Sequence, residues 1–509
     1  MNDNLYALFA DNFPADRQSC CIETHHGLQY SWGDIEHASA KLANLMCSLQ
    51  IPRQSRVAVQ VEKSAEALIL YLAVIRAGFT YVPLNTAYRD AEVAYFLQDA
   101  QPALVVCQPS TFSWVSKLAF SAGTEHVFTL DEHRGGSLLQ RAASHSDQFD
   151  TVAVGPDDLA ALLYTSGTTG RSKGAMLTHH NLASNAQVLK CYWRWQPDDV
   201  LLHALPLFHI HGLFVACHGA LLNGSKTIFL PKFDSSEVIR QLPRATVFMG
   251  VPTFYVRLLA DPAFDSNICK TIRVFISGSA PMLLDTFTQF QQRTGATILE
   301  RYGMSETAML TSNPYDGERV GGTVGMPLPQ VTLRVTNEQG KPCAVGEIGS
   351  IQVKGPNVFK GYWRMPEKTA QEFTADGYFI TGDVGCFDGK GYLTIVGRSK
   401  DLIISGGYNI YPKELETFID ELSGVSESAV IGIPHADFGE AVVAVVVRKK
   451  NASITEAELI AAMKAKIANF KVPKRVHFVD ELPRNSMSKV QKNLLRERFS
   501  VSSANRAVA

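Results

Sequence analysis

The run Tyr164-Thr165-Ser166-Gly167-Thr168-Thr169-Gly170-Arg171-Ser172-Lys173-Gly174 packs hydroxyls, glycines and a lysine into one short loop. Those are the residue types that hold a phosphate. Glycines let backbone N–H groups approach an anion, and hydroxyls and an ammonium add donors and charge. The loop follows an apolar run, Leu159 to Leu163, that reads as a buried strand. It precedes Ala175 to Trp193, whose content suits a helix with Thr178 and Asn181 as early caps. Strand, glycine-rich loop and helix together make a common phosphate site. The pattern is not a Walker loop, because Lys173 is followed by Gly174 and not by Ser or Thr. Alone, such a stretch is equally a surface turn. The density of donors between two regular elements points to a nucleotide.

Three more stretches carry chemistry. Leu205-Pro206-Leu207-Phe208-His209-Ile210-His211-Gly212 has two histidines at alternate positions. On an extended segment they would share a face and raise the question of a metal, but no third ligand follows at a recognisable spacing. Phe275-Ile276-Ser277-Gly278-Ser279-Ala280-Pro281 and Glu300-Arg301-Tyr302-Gly303-Met304-Ser305-Glu306-Thr307 both read as strands running into small polar turns. Such strand ends form a ligand crevice at the carboxyl edge of a parallel sheet.

The elements that must position these residues alternate. Trp32 to Leu49 and Ala65 to Ala77 have helical spacing, the second ending at Gly78 as a C-cap. Arg56 to Val61 and Ala103 to Cys107 read as strands, and residues 110 to 155 as a polar, irregular surface excursion. Alternation of this kind predicts an α/β fold: mixed and parallel sheets with flanking helices. From about 315 to 397 glycine, proline and short alternating strands predict a β-rich subdomain within a large N-terminal domain, 1–397. The polar, glycine-flanked turn around 398–401 reads as a boundary, and 402–509 as a small α+β C-terminal domain.

The chain has 509 residues, 46% of them hydrophobic and 19% charged, which excludes disordered and fibrous classes. Its net charge of −1 gives no electrostatic case for nucleic acid or an anionic membrane. No apolar run is long enough to span a bilayer. Met1 to Asn4 shows no signal-peptide start, and Arg506 to Ala509 is not a peroxisomal address. The nine cysteines are scattered without a Cys-x-x-Cys, which suits free thiols in a reducing cytoplasm.

Taken together, Tyr164 to Gly174, Tyr302 to Thr307, Thr381-Gly382-Asp383, Gly397 to Asp401 and Pro483-Arg484-Asn485-Ser486-Met487-Ser488-Lys489 resemble the adenylate-forming superfamily: acyl-coenzyme A synthetases, adenylation domains and luciferases. Tyr164 to Leu177, Phe208 to Phe214, Met249 to Leu259 and Asn357 to Lys368 are most similar to the branch that acts on malonate. The resemblance implies two steps in one cleft. A carboxylate attacks the α-phosphate of ATP bound with Mg²⁺, giving an acyl-adenylate and diphosphate. The thiol of coenzyme A then displaces AMP, after the small domain has turned about a hinge at 398–401. A ligase for another short-chain or aryl acid is the nearest alternative. A carrier-loading adenylation enzyme is a further one, and no carrier-like segment with its serine motif is found in the sequence.

Site residues follow from that resemblance. Thr165, Ser166, Gly167, Thr168, Thr169, Gly170 and Lys173 would grip phosphates. Ser279, Ala280, Pro281, Glu300, Arg301, Tyr302, Gly303 and Ser305 would surround the nucleotide, Tyr302 offering its face to adenine. Asp383 and Arg398 would meet the ribose. Glu306 would hold Mg²⁺, a hard cation that takes oxygen ligands; a carboxylate there equally suits a helix start. Lys489 would bridge the reacting carboxylate and the α-phosphate during adenylation only, and a lysine acetyltransferase acting on it would silence the enzyme. Lys400 would be the hinge. His209, Ser277, Gly278 and Met309 would wall the acyl pocket, with Met309 aimed there by a helical turn after Glu306. Arg257 would lie in that pocket and bind the malonate carboxylate that does not react, because a charge in such a place is costly unless a ligand compensates it. Gly406 and Gly407 would let the pantetheine arm pass, and Lys471 and Lys474 would meet coenzyme A phosphates.

Overall fold

The computed structural model of the chain describes residues 2–165, 172–405, 408–435, 439–485 and 489–504. The expected phosphate-loop residues Ser166 to Gly170, and Gly406 and Gly407, lie outside the described residues. Packing divides the chain into two compact units: 1–332 with 353–379, and 333–352 with 380–509. The stretch 398–401 falls within the second unit.

The first unit holds two sheets. The six-stranded one runs His126–Thr129, Leu104–Cys107, Arg56–Gln60, Thr80–Pro83, Leu159–Thr165, Lys173–Thr178, all parallel neighbours except the last pair. The nine-stranded one is built on five parallel strands, Ile298–Met304, Val274–Ser277, Val247–Gly250, Val200–His203 and Lys226–Phe229. Cys20–Thr24 joins it in parallel, and its outer strands pair antiparallel. Several central strands are mostly apolar and buried at every position, as a parallel sheet covered on both faces requires. The helix Ala65–Arg76 is buried along its full length, which its nearly continuous apolar run dictates. The helix Trp32–Ser48 starts at Ser31, whose hydroxyl and the Asp34 carboxylate form a reciprocal cap.

The second unit holds a four-stranded sheet, Thr332–Thr336, Gly349–Lys354, Phe379–Phe387 and Leu393–Arg398. A five-stranded sheet follows, centred on Gly439–Arg448 between Val425–His435 and Arg475–Val479. Alternation along Gly439–Arg448 splits its apolar side chains between two cores. Val442, Ala444 and Val446 pack with Leu415, Ile419, Leu459 and Met463. Ala441, Val443 and Val445 pack with Leu482, Leu495 and Phe499.

Three sequence expectations are corrected. Residues 175–178 belong to the strand Lys173–Thr178, and the helix starts only at His179, with Thr178 and Asn181 as its capping pair. Residues 110 to 155 are not irregular: they carry the helices Phe112–Ser121 and Ser137–Ala142 and the edge strand His126–Thr129. Met309 lies on the strand Ala308–Ser312, opposite Gly303, so no helical turn aims it. Among the described residues no helix is long and apolar enough to cross a membrane.

Candidate active site

The expected phosphate loop joins two antiparallel strands, with Thr165 facing Lys173 in register. A second chain segment lies alongside. Lys360 donates its N–H to Met176 O at 2.9 Å, Met176 to Gly361 O at 3.0 Å, and Trp363 to Gly174 O at 2.8 Å. Gly174 suits this approach, since a Cβ there would sit 2.9 Å from the end of the Leu162 side chain and 3.3 Å from Trp363 Cβ, tight contacts that Leu162 and Trp363 would have to yield to. The pairing brings Tyr362 under the loop's lysine: Lys173 Nζ is 4.1 Å from the Tyr362 ring centre. It is also 3.5 Å from Glu372 Oε1. The Tyr362 hydroxyl donates to Glu306 Oε1 at 3.1 Å, and Glu306 is buried.

At the carboxyl ends of the parallel strands the chain buries polar groups. Ser277 ends Val274–Ser277, and Glu300 stands opposite it in register, one residue before Arg301. Both Ser277 and Arg301 are almost fully buried. Ser277 Oγ, Arg301 Nε and Nη2, and His211 Nε2 have no hydrogen-bond partner among the described residues. Gly278 packs on the guanidinium: a Cβ there would lie 2.5 Å from Arg301 Cζ. Ser279 follows with φ of 72°, a left-handed conformation uncommon for serine, and its hydroxyl lies 3.3 Å from His211 Nδ1. Burial drives the Arg301 pKa down to about 9. Burial first, and the Arg301 charge second, hold His211 well below the usual histidine range, so it is neutral. His211 opens the one-turn π-helix His211–Cys217, a feature frequent at functional sites. His209 is half-buried beside it, its Nδ1 accepting the His211 N–H at 3.3 Å.

Arg257 is placed differently from its expectation. It is exposed on the helix Pro252–Ala260, whose Tyr255 and Leu258 face the core. Three- and four-residue spacing selects the inward side, and Arg257 is off it. The premise of a buried charge therefore fails for Arg257 and holds for Arg301. Glu300 and Tyr302 are buried, while Gly303, Ser305, Ser279 and Ala280 are half-buried and Pro281 is exposed. Met309 is buried and packs its methyl against Gly303. The sequence reading gave no role to Tyr362 or Glu372; the likeness over Asn357 to Lys368 takes in Tyr362 and stops short of Glu372.

In the second unit Asp383 and Arg398 sit opposite each other on adjacent strands and form an ion pair at 2.8 Å. Lys400 is exposed in the turn Ser399–Asp401, and Asp401 pairs with Arg496 at 2.7 Å. Lys489 is exposed in a small hairpin: Asn485 N–H donates to Lys489 O and Lys489 N–H to Asn485 Oδ1, each at 2.9 Å. Lys471 is paired with Glu414 at 2.6 Å, and Lys474 is exposed.

Residues 8–363 match the model of the AMP-binding enzyme family, and residues 414–489 that of the AMP-binding enzyme C-terminal domain. The chain belongs to the AMP-binding enzyme family: it is an acid–thiol ligase of the acyl-coenzyme A synthetase type. Its solved relatives include ATP-bound MatB from Rhodopseudomonas palustris, 54% identical, covering 98% of this chain and 99% of that one with a TM-score of 0.96. A malonate–CoA ligase from Arabidopsis thaliana is 35% identical over 92% of this chain and 85% of its own length. A feruloyl-CoA synthase from Amycolatopsis is 36% identical over 93% and 95%.

Proposed function

We propose that the protein joins malonate to coenzyme A, forming malonyl-CoA, AMP and diphosphate from ATP through a malonyl-adenylate. One malonate carboxylate oxygen attacks the α-phosphorus, the bond to the β-phosphate oxygen breaks, and diphosphate leaves. The coenzyme A sulfur then attacks the acyl carbon, AMP departs, and the thiol proton goes to solvent. The observation that carries the choice of acid is the buried guanidinium of Arg301 with no counter-ion among the described residues, flanked by the unpartnered Ser277 hydroxyl and neutral His211. A buried charge costs several kcal/mol unless paired. A second carboxylate on the substrate supplies that pair, with two parallel hydrogen bonds to a planar fork. A feruloyl or fatty acyl chain would leave it unpaired. The relatives named for malonate agree with this reading.

Lys173 and Thr165 would bear on the phosphates, Tyr302 on adenine, and Asp383 and Arg398 on the ribose. Lys489 would neutralise charge between the reacting oxygen and the α-phosphate, where positioning and electrostatics do most of the work. Being exposed, it is also open to acetylation. Glu306 fits Mg²⁺: one carboxylate suffices when phosphates and water complete the shell, and no group of three His, Cys, Asp or Glu suited to a metal occurs among the described residues. When bound, the ion neutralises phosphate charge. The test is diphosphate release over a panel of acids, with and without coenzyme A. Malonate should be preferred over propionate, butyrate and ferulate, and malonyl-CoA should be the product. A preference for ferulate or a fatty acid would replace this reading.

A further inference from the structure

Lys173 does not wait for phosphate in open solvent. Its side chain is only 15% exposed, its ammonium lies 4.1 Å from the Tyr362 ring centre, and Glu372 Oε1 is 3.5 Å away. That separation exceeds the ~2.7–2.9 Å of a direct charge-assisted hydrogen bond, so the attraction is real but loosely held. The same Glu372 oxygen lies 2.8 Å from Lys368, which is four residues earlier and within the helix Pro366–Gln371 that Glu372 caps. One carboxylate thus stands between two ammonium groups. The backbone pairing of 360–363 with the strand Lys173–Thr178 fixes this geometry.

We propose that Glu372 is a positioning residue that holds Lys173 when no phosphate is bound. It takes up the lysine's charge as diphosphate leaves and yields it as ATP arrives. The inference rests on the reading of Lys173 as a phosphate-binding group. A half-buried ammonium stripped of its anion would be left without a counter-ion, and such a state holds the product back. A carboxylate within reach lowers the cost of that state and so weakens the grip on diphosphate. ATP must displace the same carboxylate, so its binding is weakened too. Tyr362 joins this arrangement to Glu306 through its hydroxyl, which places the lysine and the carboxylate expected to hold the metal on one aromatic side chain.

The test measures the KM for ATP in adenylation, the inhibition constant for diphosphate, and magnesium diphosphate binding by calorimetry. Glu372→Gln should tighten all three by about two- to fivefold, the range of a partly exposed ion pair. Lys368→Gln should move them the other way, because it leaves Glu372 wholly to Lys173. The double variant should keep the tightening. If the tightening vanishes in the double variant, the freed Lys368 is its cause and the proposal is overturned. Lys173→Ala separates the two levels of the argument. If it weakens ATP and diphosphate while Glu372→Gln changes neither, the phosphate reading stands and the role of Glu372 falls. If Lys173→Ala changes neither, the phosphate reading itself fails, and this proposal with it.

Discussion

A guanidinium buried with no counter-ion among the described residues is costly in the free protein, and the cost has a measurable consequence. Arg301→Met replaces the charge with an apolar chain of similar length. It should stabilise the free protein by on the order of 1–4 kcal/mol, the gain seen when buried ionic groups give way to packed apolar ones. Arg257→Leu, on an exposed helix face, should change stability by no more than about 0.5 kcal/mol. Thermal unfolding of the two variants beside the wild type checks both. A destabilised Arg301→Met would mean that the guanidinium has a partner inside the free protein. Lys489 makes a different kind of case, since its side chain is exposed. Lys489→Ala should abolish adenylate formation yet spare thioester formation from supplied malonyl-adenylate. Equal loss of both half-reactions would remove its role in the first step alone.

The helix Pro412–Asp420 ends in a carboxyl placed against its charged state. Asp420 is partly buried at a helix C-terminus, where the backbone dipole already repels negative charge. Burial, opposed by Ser428 and Lys413 and reinforced by Glu416 and Glu427, raises its pKa from 3.8 to about 7. An acid whose folded pKa is raised contributes stability that is present below its unfolded pKa and lost as pH rises through its folded one. The window here is about pH 4 to 7. Asp420→Asn should therefore leave stability near wild type at pH 4 and exceed it by on the order of 2–4 kcal/mol at pH 8, followed by melting temperature against pH. A constant difference across that range would contradict the shift. At this scale the sequence was legible where apolar residues run nearly without a break, as in the buried runs of Ala65–Arg76 and Val274–Ser277. It misled at Ala175 to Thr178, where three apolar residues and a threonine suit strand and helix alike and pairing with Leu159–Thr165 decides. It misled again at Met309, because the antiparallel return after Glu306 is a tertiary choice. The sequence reading set Arg257 in the acyl pocket and Arg301 beside the nucleotide, and the buried charge is Arg301, since facing and burial depend on packing that spacing does not encode. Nothing in the run Pro366 to Gln371 announced that the next residue, Glu372, would meet Lys173.

The whole molecule is built of two units, each with its own core. The proposed roles put phosphate and acid recognition in the first, and Lys489 with the Asp383–Arg398 pair in the second. The turn at 398–401 is proposed as the hinge between half-reactions. Proline at position 400 fixes one of the torsions that such a hinge would need to change. Lys400→Pro should accordingly keep adenylation and lose thioester formation in separate assays of the two steps, and normal rates in both would place the pivot elsewhere. The central claim is narrower: a buried arginine chooses the acid. It is tested by kcat/KM for malonate and for butyrate, measured side by side in wild type and in Arg301→Met. Malonate should fall by roughly 30-fold or more, as for loss of a charge-assisted contact, while butyrate holds or rises and the gap between the acids closes. A folded Arg301→Met enzyme that still prefers malonate as the wild type does would contradict the account.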